Sequence, residues 1–427
     1  MKFNIITLGC KVNSYESEAM KELLLKSGYS YIDDITDADI VIVNTCSVTN
    51  MADSKSRKII RRVRRENKAA ILVVCGCSSQ NNQDQYKEFG IDILLGNRKK
   101  SEIVELLNEY IKTNNKYCYI TKNRNLSFES MNVEKFTSQT RAFIKVQDGC
   151  NNFCSYCIIP YVRGDIRSKN FDSVIKEAKV LVENGHYELV LTGIHTGSYN
   201  DNGKDLVDLI KELAKIENLK RIRISSIEIT ELNDKFLELL KSCPKVCDHL
   251  HIPLQSGSEE VLKRMNRKYN EEYFKNKIED IRKIRPNISI TTDVIVGHPY
   301  EKEEDFDECY EFCKEIKFSK IHVFPFSVRN GTAAASMPNQ VNELDKRNRL
   351  KKLLDLSLEL EKTYYNKYLN ETVDVLVEEV DFAEYISTGH TENYLMVKVN
   401  EKLNSNEFYE VKILEIKDNI AIGKIEK

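Results

Sequence analysis

The chain has 427 residues, of which 41% are hydrophobic, and this length accommodates about two to four domains. The net charge of −2 excludes a uniformly basic polymer-binding protein, so any nucleic-acid surface must be a local patch. We expect a cytoplasmic protein with no membrane partner, because no apolar run approaches the ~20 residues of a membrane span and Asn4 and Thr7 interrupt the short apolar N-terminus.

Residues 1–112 alternate short strands with helices, which predicts a small parallel α/β sheet as an N-terminal domain. The predicted strands are Phe3–Gly9, Asp39–Asn44, Ile71–Cys75 and Ile93–Gly96, with helices that include Glu16–Ser27 and Ser101–Tyr110. Residues 113–139 are polar and irregular, and we predict that they form a linker.

A second alternation of strands and helices follows, and we assign residues 140–366 to this central domain. Its predicted strands are Ala142–Asp148, Leu189–Thr192, Arg221–Ser226, His249–Gln255, Ile288–Val296 and Ile321–Ser327. Helices such as Phe171–Glu183, Asp205–Ile216, Glu231–Lys241 and Glu272–Ile284 separate the strands. Six βα units predict a partial (β/α)6 barrel, and a long charged helix, Glu343–Tyr368, follows it.

The last part of the chain, residues 367–427, loses the helical period and shows alternating strands. The predicted strands are Val373–Val377, Tyr394–Val399, Tyr409–Glu415 and Ile420–Ile425. This pattern predicts a small C-terminal all-β barrel.

A compact cysteine motif follows the first predicted barrel strand, in the run Cys150-Asn-Asn-Phe-Cys154-Ser-Tyr-Cys157. Three thiolates can hold three irons of a 4Fe–4S cluster and leave the fourth iron open for S-adenosylmethionine (SAM). A zinc knuckle is the alternative, but zinc needs a fourth ligand and neither Cys nor His follows until His186. The spacing therefore favours the cluster.

A second set of cysteines lies far apart in sequence but in equivalent places. Cys10, Cys46 and Cys77 each follow the end of a predicted strand by one to three residues. Because the carboxyl ends of parallel strands share one rim of a sheet, these thiols could bind a second cluster there. The alternative is that they are buried core cysteines, which are common in proteins.

The other cysteines give weaker signals. We predict that Cys75 belongs to the core, because it falls inside a predicted strand. Two pairs have i, i+4 spacing, namely Cys243 with Cys247 and Cys309 with Cys313. For both pairs we favour a role as small apolar core residues over metal binding. Cys118 lies in the linker and carries no signal.

These motifs resemble those of a known family, the methylthiotransferases of the radical SAM superfamily. The matching segments are Thr7-Leu-Gly-Cys10-Lys-Val-Asn13-x-Tyr-Glu16, Asn44-Thr-Cys46-Ser-Val-Thr49, Gly76-Cys77-x-x-Gln80 and, similar to a TRAM domain, Gly389-His-Thr-Glu-Asn-Tyr394. The resemblance spans essentially the whole chain. It implies an auxiliary 4Fe–4S cluster on the three dispersed cysteines, a SAM-binding 4Fe–4S cluster on the compact motif, and an RNA-binding barrel.

Other predicted strand ends fit SAM binding, since barrel enzymes place their chemistry at the carboxyl ends of the strands. The candidates are Gly193, Ser225, Glu228, Gln255 and Asp293. Asp293 could instead pair locally, and Glu228 could be a first-turn helix acid that the helix dipole favours.

The family resemblance also implies the chemistry. One SAM donates a methyl group to sulfur held at the auxiliary cluster, and a second SAM yields the radical that removes hydrogen from the substrate carbon. A reductant such as flavodoxin or ferredoxin and a sulfur donor are implied partners. Catalytic side chains remain unassigned.

Three branches of the family act on different substrates. The segment Leu8-Gly-Cys10-Lys-Val-Asn13 resembles the branch that modifies threonylcarbamoyladenosine beside the anticodon, in the tRNA anticodon loop. The alternatives are isopentenyladenosine in tRNA and an aspartate of a small-subunit ribosomal protein. A non-enzymatic iron–sulfur carrier is a further alternative, although a carrier needs no SAM pocket.

The charge distribution gives mixed support for RNA. Residues 55–68 carry eight basic residues and one acid, and a helix there would point its cations outward and Ile59, Ile60 and Val63 toward the core. A solvated helix face is the alternative. The C-terminal residues 367–427 have seven lysines and thirteen acids, a net of −6, so RNA contact there requires the lysines to cluster on one face.

Overall fold

The computed structural model describes residues 1–121, 126–137 and 139–426. Residues 122–125 and 138 of the predicted linker, and the final residue of the predicted C-terminal barrel, lie outside the described residues. No helix in the described part of the chain is both long and apolar enough to cross a membrane.

The N-terminal domain is a six-stranded parallel sheet, as the sequence predicts. In spatial order its strands are Ser30–Tyr31, Lys2–Thr7, Ile40–Thr45, Ile71–Gly76, Ile93–Leu95 and Tyr117–Tyr119. Its helices are Lys11–Lys26, Asn50–Glu66, Cys77–Asn81, Gln83–Lys87 and Ile103–Thr113. The central strand Ile40–Thr45 is buried along its whole length, as expected for a parallel sheet with helices on both faces.

Two edge strands of this sheet are absent from the sequence prediction. Ser30–Tyr31 and Tyr117–Tyr119 have only two and three residues, which is too short for a period-2 pattern to emerge. Tyr117–Tyr119 falls in the predicted linker but pairs with Ile93–Leu95. We therefore propose that the N-terminal domain extends to Tyr119.

The central domain is a partial barrel of six parallel strands. They are Ala142–Lys145, Glu188–Thr192, Arg221–Ile224, His249–His251, Ser289–Val296 and Lys320–Pro325. The first three and the last three form two sheets, which a parallel bridge between Ile222 and Val246 connects. The fourth strand ends earlier than predicted because Pro253 has no N–H to continue the ladder.

Helices surround these strands. They are Ile159–Arg163, Phe171–Glu183, Leu206–Leu213, Asp234–Ser242, Glu259–Arg264, Glu271–Ile284, Glu303–Ile316, Ala333–Ser336 and Glu343–Asn366. Short two-residue strands pair Gln147–Asp148 with Arg167–Ser168 and Asn200–Asp201 with Lys204–Asp205. Cys309 and Cys313 lie buried on Glu303–Ile316, as the apolar interpretation predicts.

The C-terminal domain is a closed five-stranded barrel. Its strands are Thr372–Asp381, Ile386–Thr391, Met396–Val399, Phe408–Lys417 and Ile420–Ile425. The sequence prediction misses Ile386–Thr391, because polar and small residues fill this strand and hide its alternation.

The C-terminal barrel packs against the central barrel and contacts its third strand, Arg221–Ile224. Arg221 donates to the carbonyl oxygen of His390 at 3.0 Å, and Arg223 donates to that of Glu392 at 2.9 Å. The segment 389–394, which resembles a TRAM motif, therefore faces the central barrel, although the Glu392 side chain is exposed.

Candidate metal centres

The compact cysteine motif lies in the loop that leads from the first barrel strand to the helix Ile159–Arg163. Backbone hydrogen bonds shape this loop: Cys150 N donates to Gly164 O, and Cys157 N donates to Cys154 O, both at 3.0 Å. The three thiols are half-buried. Burial raises the pKa of Cys157 to about 12, so a metal must displace a proton from this thiol when it binds.

Two basic side chains that the sequence analysis missed contact this motif. Arg267 Nη1 donates to Cys154 Sγ at 3.3 Å, and His195 Nδ1 lies 3.9 Å from Cys150 Sγ. Although burial lowers the pKa of His195, its contacts with Cys150 and Glu231 raise it to about 10. Positive charge beside a cysteine favours the thiolate, the form that binds metal.

The dispersed cysteines lie at one edge of the N-terminal sheet. Cys10, Cys46 and Cys77 follow three adjacent parallel strands, Lys2–Thr7, Ile40–Thr45 and Ile71–Gly76. Cys46 and Cys77 are buried, whereas Cys10 is accessible to solvent. The structure thus places the three thiols at one rim, where sequence reasoning expected them.

A close backbone approach brings two of these cysteines together. Gly9 has φ +106°, and a Cβ atom there would lie 2.8 Å from Cys46 Sγ, so only glycine fits. Burial and the neighbouring thiols of Cys77 and Cys10 raise the pKa of Cys46 to about 12. Cys75, by contrast, is fully buried inside its strand, as predicted.

Arg163 lies between the compact motif and the dispersed cysteines, here called the two cysteine triads. The compact triad is Cys150, Cys154 and Cys157, and the auxiliary triad is Cys10, Cys46 and Cys77. Its helix, Ile159–Arg163, begins two residues after Cys157, and its Nε donates to Cys77 Sγ at 3.3 Å. Ile158 and Val162 pack directly against Cys77. The two triads are therefore neighbours, although they belong to different domains.

A buried ion network surrounds Arg163. Two carboxylates, Glu16 and Asp148, face four cations, which is an excess of two positive charges; the cations are Lys100, Lys145, Arg163 and Arg167. Burial raises the pKa of Glu16, but Arg163, Lys100 and Lys145 lower it well below its ordinary value. The excess positive charge lies beside Cys77 and suits a thiolate-held cluster.

The donor set fits iron–sulfur clusters. Both triads offer only thiols, and basic side chains contact a sulfur in each. Within the described residues, no three His, Cys, Asp or Glu side chains converge tightly enough to hold one metal ion. A 4Fe–4S cluster instead distributes its thiolates over separate irons, which is compatible with this geometry.

Two of the predicted SAM contacts lie together next to the compact motif. Gln255 and Asp293 line a cavity of about 210 Å³ with Tyr156 and Cys157. Val48 and Thr49 of the N-terminal domain also line it. This cavity therefore adjoins both domains and the cysteine that ends the motif.

The structure separates the other predicted SAM contacts. Ser225 lines a second and larger cavity, and Gly193 packs against Gln147. Glu228 forms an ion pair with Arg267 and also caps the short helix Ile229–Glu231. Glu228 thus precedes the first turn of this helix instead of lying in it, and its carboxylate contacts the arginine that donates to Cys154.

Three family models match consecutive parts of the chain. They are the uncharacterized protein family UPF0004 at residues 2–96, the radical SAM superfamily at 144–313 and the TRAM domain at 366–425. A Bacillus subtilis protein, named threonylcarbamoyladenosine tRNA methylthiotransferase MtaB, is 44% identical and covers 92% of this chain and 88% of its own. A protein of that name from Aquifex aeolicus is 37% identical, with coverage of 93% and 96%.

The chain belongs to the radical SAM methylthiotransferase family. Its cofactors are accordingly SAM and a 4Fe–4S cluster. An Alkaliphilus oremlandii relative, named tRNA-2-methylthio-N(6)-dimethylallyladenosine synthase, is 35% identical and covers 88% of this methylthiotransferase and 82% of its own length. The radical SAM methyltransferase TsrM from Kitasatospora setae shares the fold, with a TM-score of 0.57 at 15% identity, covering 78% of this chain and 76% of its own.

The basic segment of the methylthiotransferase forms the helix Asn50–Glu66, as the sequence suggested. Ile60 and Val63 are buried, and six of the eight basic side chains are exposed; these are Lys55, Lys58, Arg61, Arg62, Arg65 and Lys68. Arg64 is an exception, because it pairs with Asp92 and donates to the carbonyl oxygens of Gly90 and Ala70. Its role is structural.

The C-terminal barrel of the methylthiotransferase is acidic overall but carries lysines on one face. Strand register places Lys412 opposite Lys424, and Lys398 opposite Ile422 on the adjacent strand. Since the flanking residues point into the barrel, these three lysines share its outer surface. The same alternation places Glu410 and Glu426 on this surface beside Lys412 and Lys424, so RNA contact by this domain stays a prediction.

Proposed function

We propose that this methylthiotransferase converts N6-threonylcarbamoyladenosine beside the anticodon of tRNA to its 2-methylthio derivative, using two SAM and two 4Fe–4S clusters. The observation that carries the proposal is the 44% identity with the Bacillus subtilis MtaB over 92% of the chain. A tRNA substrate would place the reaction in the cytoplasm. The alternative substrate is dimethylallyladenosine, since the 35% identical relatives are named for it.

The two triads would hold the two clusters. Cys150, Cys154 and Cys157 would ligate the SAM-binding cluster, and Cys10, Cys46 and Cys77 the auxiliary cluster. The first cluster supplies, when bound, the electron that cleaves SAM to a 5′-deoxyadenosyl radical. Arg267 and Arg163 donate to a thiolate in each triad, which stabilises the ligating form.

Part of SAM would bind in the 210 Å³ cavity, which is smaller than the roughly 300–1,000 Å³ of a whole small-molecule site, and there Asp293 and Gln255 offer a carboxylate and an amide to its polar groups. Ser225, Glu228 and Gly193 do not line this cavity, so a contact of these residues with SAM stays a prediction. A reductant such as flavodoxin or ferredoxin and a sulfur donor complete the proposed reaction.

A deletion strain tests the substrate. We expect its tRNA to lose 2-methylthio-N6-threonylcarbamoyladenosine and to accumulate the unmethylthiolated nucleoside, with any methylthiolated dimethylallyladenosine unchanged. Mass spectrometry of tRNA nucleosides and of ribosomal proteins measures methylthiolation of all three candidate substrates: threonylcarbamoyladenosine, dimethylallyladenosine and the ribosomal-protein aspartate. Intact modified tRNA together with a ribosomal protein that has lost its methylthio group would contradict the proposal.

The basic helix is proposed to contact tRNA phosphates. Replacing Arg61 and Arg65 with Glu should weaken binding of an anticodon stem-loop RNA and reduce the slope of log K against log salt by about 0.7–0.9 for each lost phosphate contact. Fluorescence anisotropy at several salt concentrations measures both quantities. Lys179→Glu, on a helix of the central barrel, is the control, and an unchanged slope in the double variant would exclude this surface.

A further inference from the structure

The larger cavity has a volume of about 550 Å³ and lies between strands of the central barrel, the helix Glu343–Asn366 and the C-terminal barrel. Its lining includes Lys11 from the N-terminal domain, His249 and His251 from the barrel, and Tyr394 from the C-terminal domain. This volume is in the range of small-molecule sites, roughly 300–1,000 Å³. It adjoins the proposed SAM cavity, because His251 Nε2 lies 3.3 Å from Asp293 Oδ2.

Lys11 differs from the other cations of this cavity. Arg223 pairs with Glu188 at 2.6 Å, and Lys320 pairs with Glu361 at 2.9 Å. Among the described residues, the ammonium group of Lys11 has neither an ion pair nor a hydrogen bond. Lys11 also directly follows Cys10, so its side chain reaches the cavity from the auxiliary triad.

The wall around Lys11 is polar and positive. The ring of Tyr394 stacks on His249 and His390, with centroid distances of 4.8 Å and 4.7 Å. Although burial raises the pKa of Tyr394, Arg141, Lys11 and Arg223 lower it below its ordinary value, as expected for a side chain that three cations surround. His249 is buried, and its Nδ1 has no partner among the described residues.

We propose that this cavity receives the N6 substituent of the target adenosine and that Lys11 binds the carboxylate of that substituent. The inference rests on the proposed function, because the threonylcarbamoyl group ends in a carboxylate whereas a dimethylallyl group is an uncharged hydrocarbon. A base held there lies between Cys10 and the SAM cavity, where the methylthio group and the radical must meet it.

The test compares three anticodon stem-loop RNAs with full-length, cluster-reconstituted enzyme. The RNAs carry threonylcarbamoyladenosine, its carboxyl methyl ester, or unmodified adenosine, and anaerobic fluorescence anisotropy gives each Kd. Wild-type enzyme should bind the acid about 10–100-fold more tightly than the ester, the range for a hydrogen bond to a charged group. Lys11→Met should abolish this preference, and Lys11→Arg should restore most of it.

Two controls separate this role from damage to the fold. Lys26→Met, at the other end of the same helix, should keep the preference for the acid. Iron content must be the same in Lys11→Met and wild type, since Lys11 neighbours a proposed ligand.

If Lys11 binds a different anion, the Lys11→Met variant should give a different result. An equal loss of affinity for all three RNAs in Lys11→Met would assign Lys11 to a backbone phosphate and overturn the proposal. Weaker SAM binding with an unchanged RNA preference would assign it to the SAM carboxylate, with the same consequence. If wild-type enzyme prefers the acid through Lys11 but does not methylthiolate it, the proposed function fails and the cavity assignment stands.

Discussion

Replacement of Cys10, Cys46 and Cys77 with alanine together is expected to halve the iron content, from about eight to about four irons per chain after anaerobic reconstitution. The remaining cluster lies on the other triad, so the variant should still cleave SAM when reduced but should form no methylthiolated product. Iron analysis, 5′-deoxyadenosine formation and product mass spectrometry measure the three properties.

Cys75→Ala is the matched control for this variant. Cys75 lies two residues before Cys77 but is fully buried within its strand, so its loss should leave about eight irons. Full iron content in the triple variant would show that the dispersed cysteines are not cluster ligands. Complete loss of iron would show that the compact motif cannot hold a cluster without them.

Glu16→Gln is expected to destabilise the protein by about 3–5 kcal/mol, because it leaves buried cations without their carboxylate. Glu16 accepts hydrogen bonds from Arg163 and Lys145 at 2.7 Å and also pairs with Lys100, and all four side chains are buried. Anaerobic chemical denaturation of the cluster-free protein, followed by circular dichroism, measures the change. The iron content of reconstituted enzyme should also fall, since Arg163 would lose the partner that orients it toward Cys77.

An exposed pair provides the control for this charge removal. Glu102 lies 2.7 Å from Lys99 but half of its side chain is exposed, so Glu102→Gln should change stability by no more than about 1 kcal/mol. Equal stability of the two variants would show that the network around Glu16 does not support the fold. Because the folded-state pKa of Glu16 lies below its ordinary value of 4.5, its stabilisation is present above pH 4.5 and is lost as the pH falls through the folded-state pKa.

The cysteine positions could be predicted from sequence because they follow simple geometric rules. The compact motif depends only on local spacing, and Cys10, Cys46 and Cys77 are placed by the shared rim of a parallel sheet. The same strand-end rule would have found His195, which lies three residues beyond Glu188–Thr192. Period-2 and period-3.6 patterns likewise identified most strands and helices.

The buried charges could not be predicted in this way. Lys100, Lys145 and Arg163 belong to residue types that are almost always exposed, and their burial depends on partners 84 to 147 positions away, at Glu16. Arg221 and Arg223 similarly have the sequence pattern of ordinary strand residues, and their burial depends on contacts with the C-terminal barrel. Long-range pairing of this kind leaves no periodic trace in the sequence.

The helix Ile159–Arg163 also limits how the molecule can move. It spans roughly 8 Å at 1.5 Å per residue and is fixed at one end by the compact motif and at the other by Cys77 and Glu16. A hinge that opened the N-terminal domain away from the barrel would break the buried ion pair between Glu16 and Arg163. We therefore expect the two triads to keep a constant separation, so that a single nucleotide held between them can meet the chemistry of both.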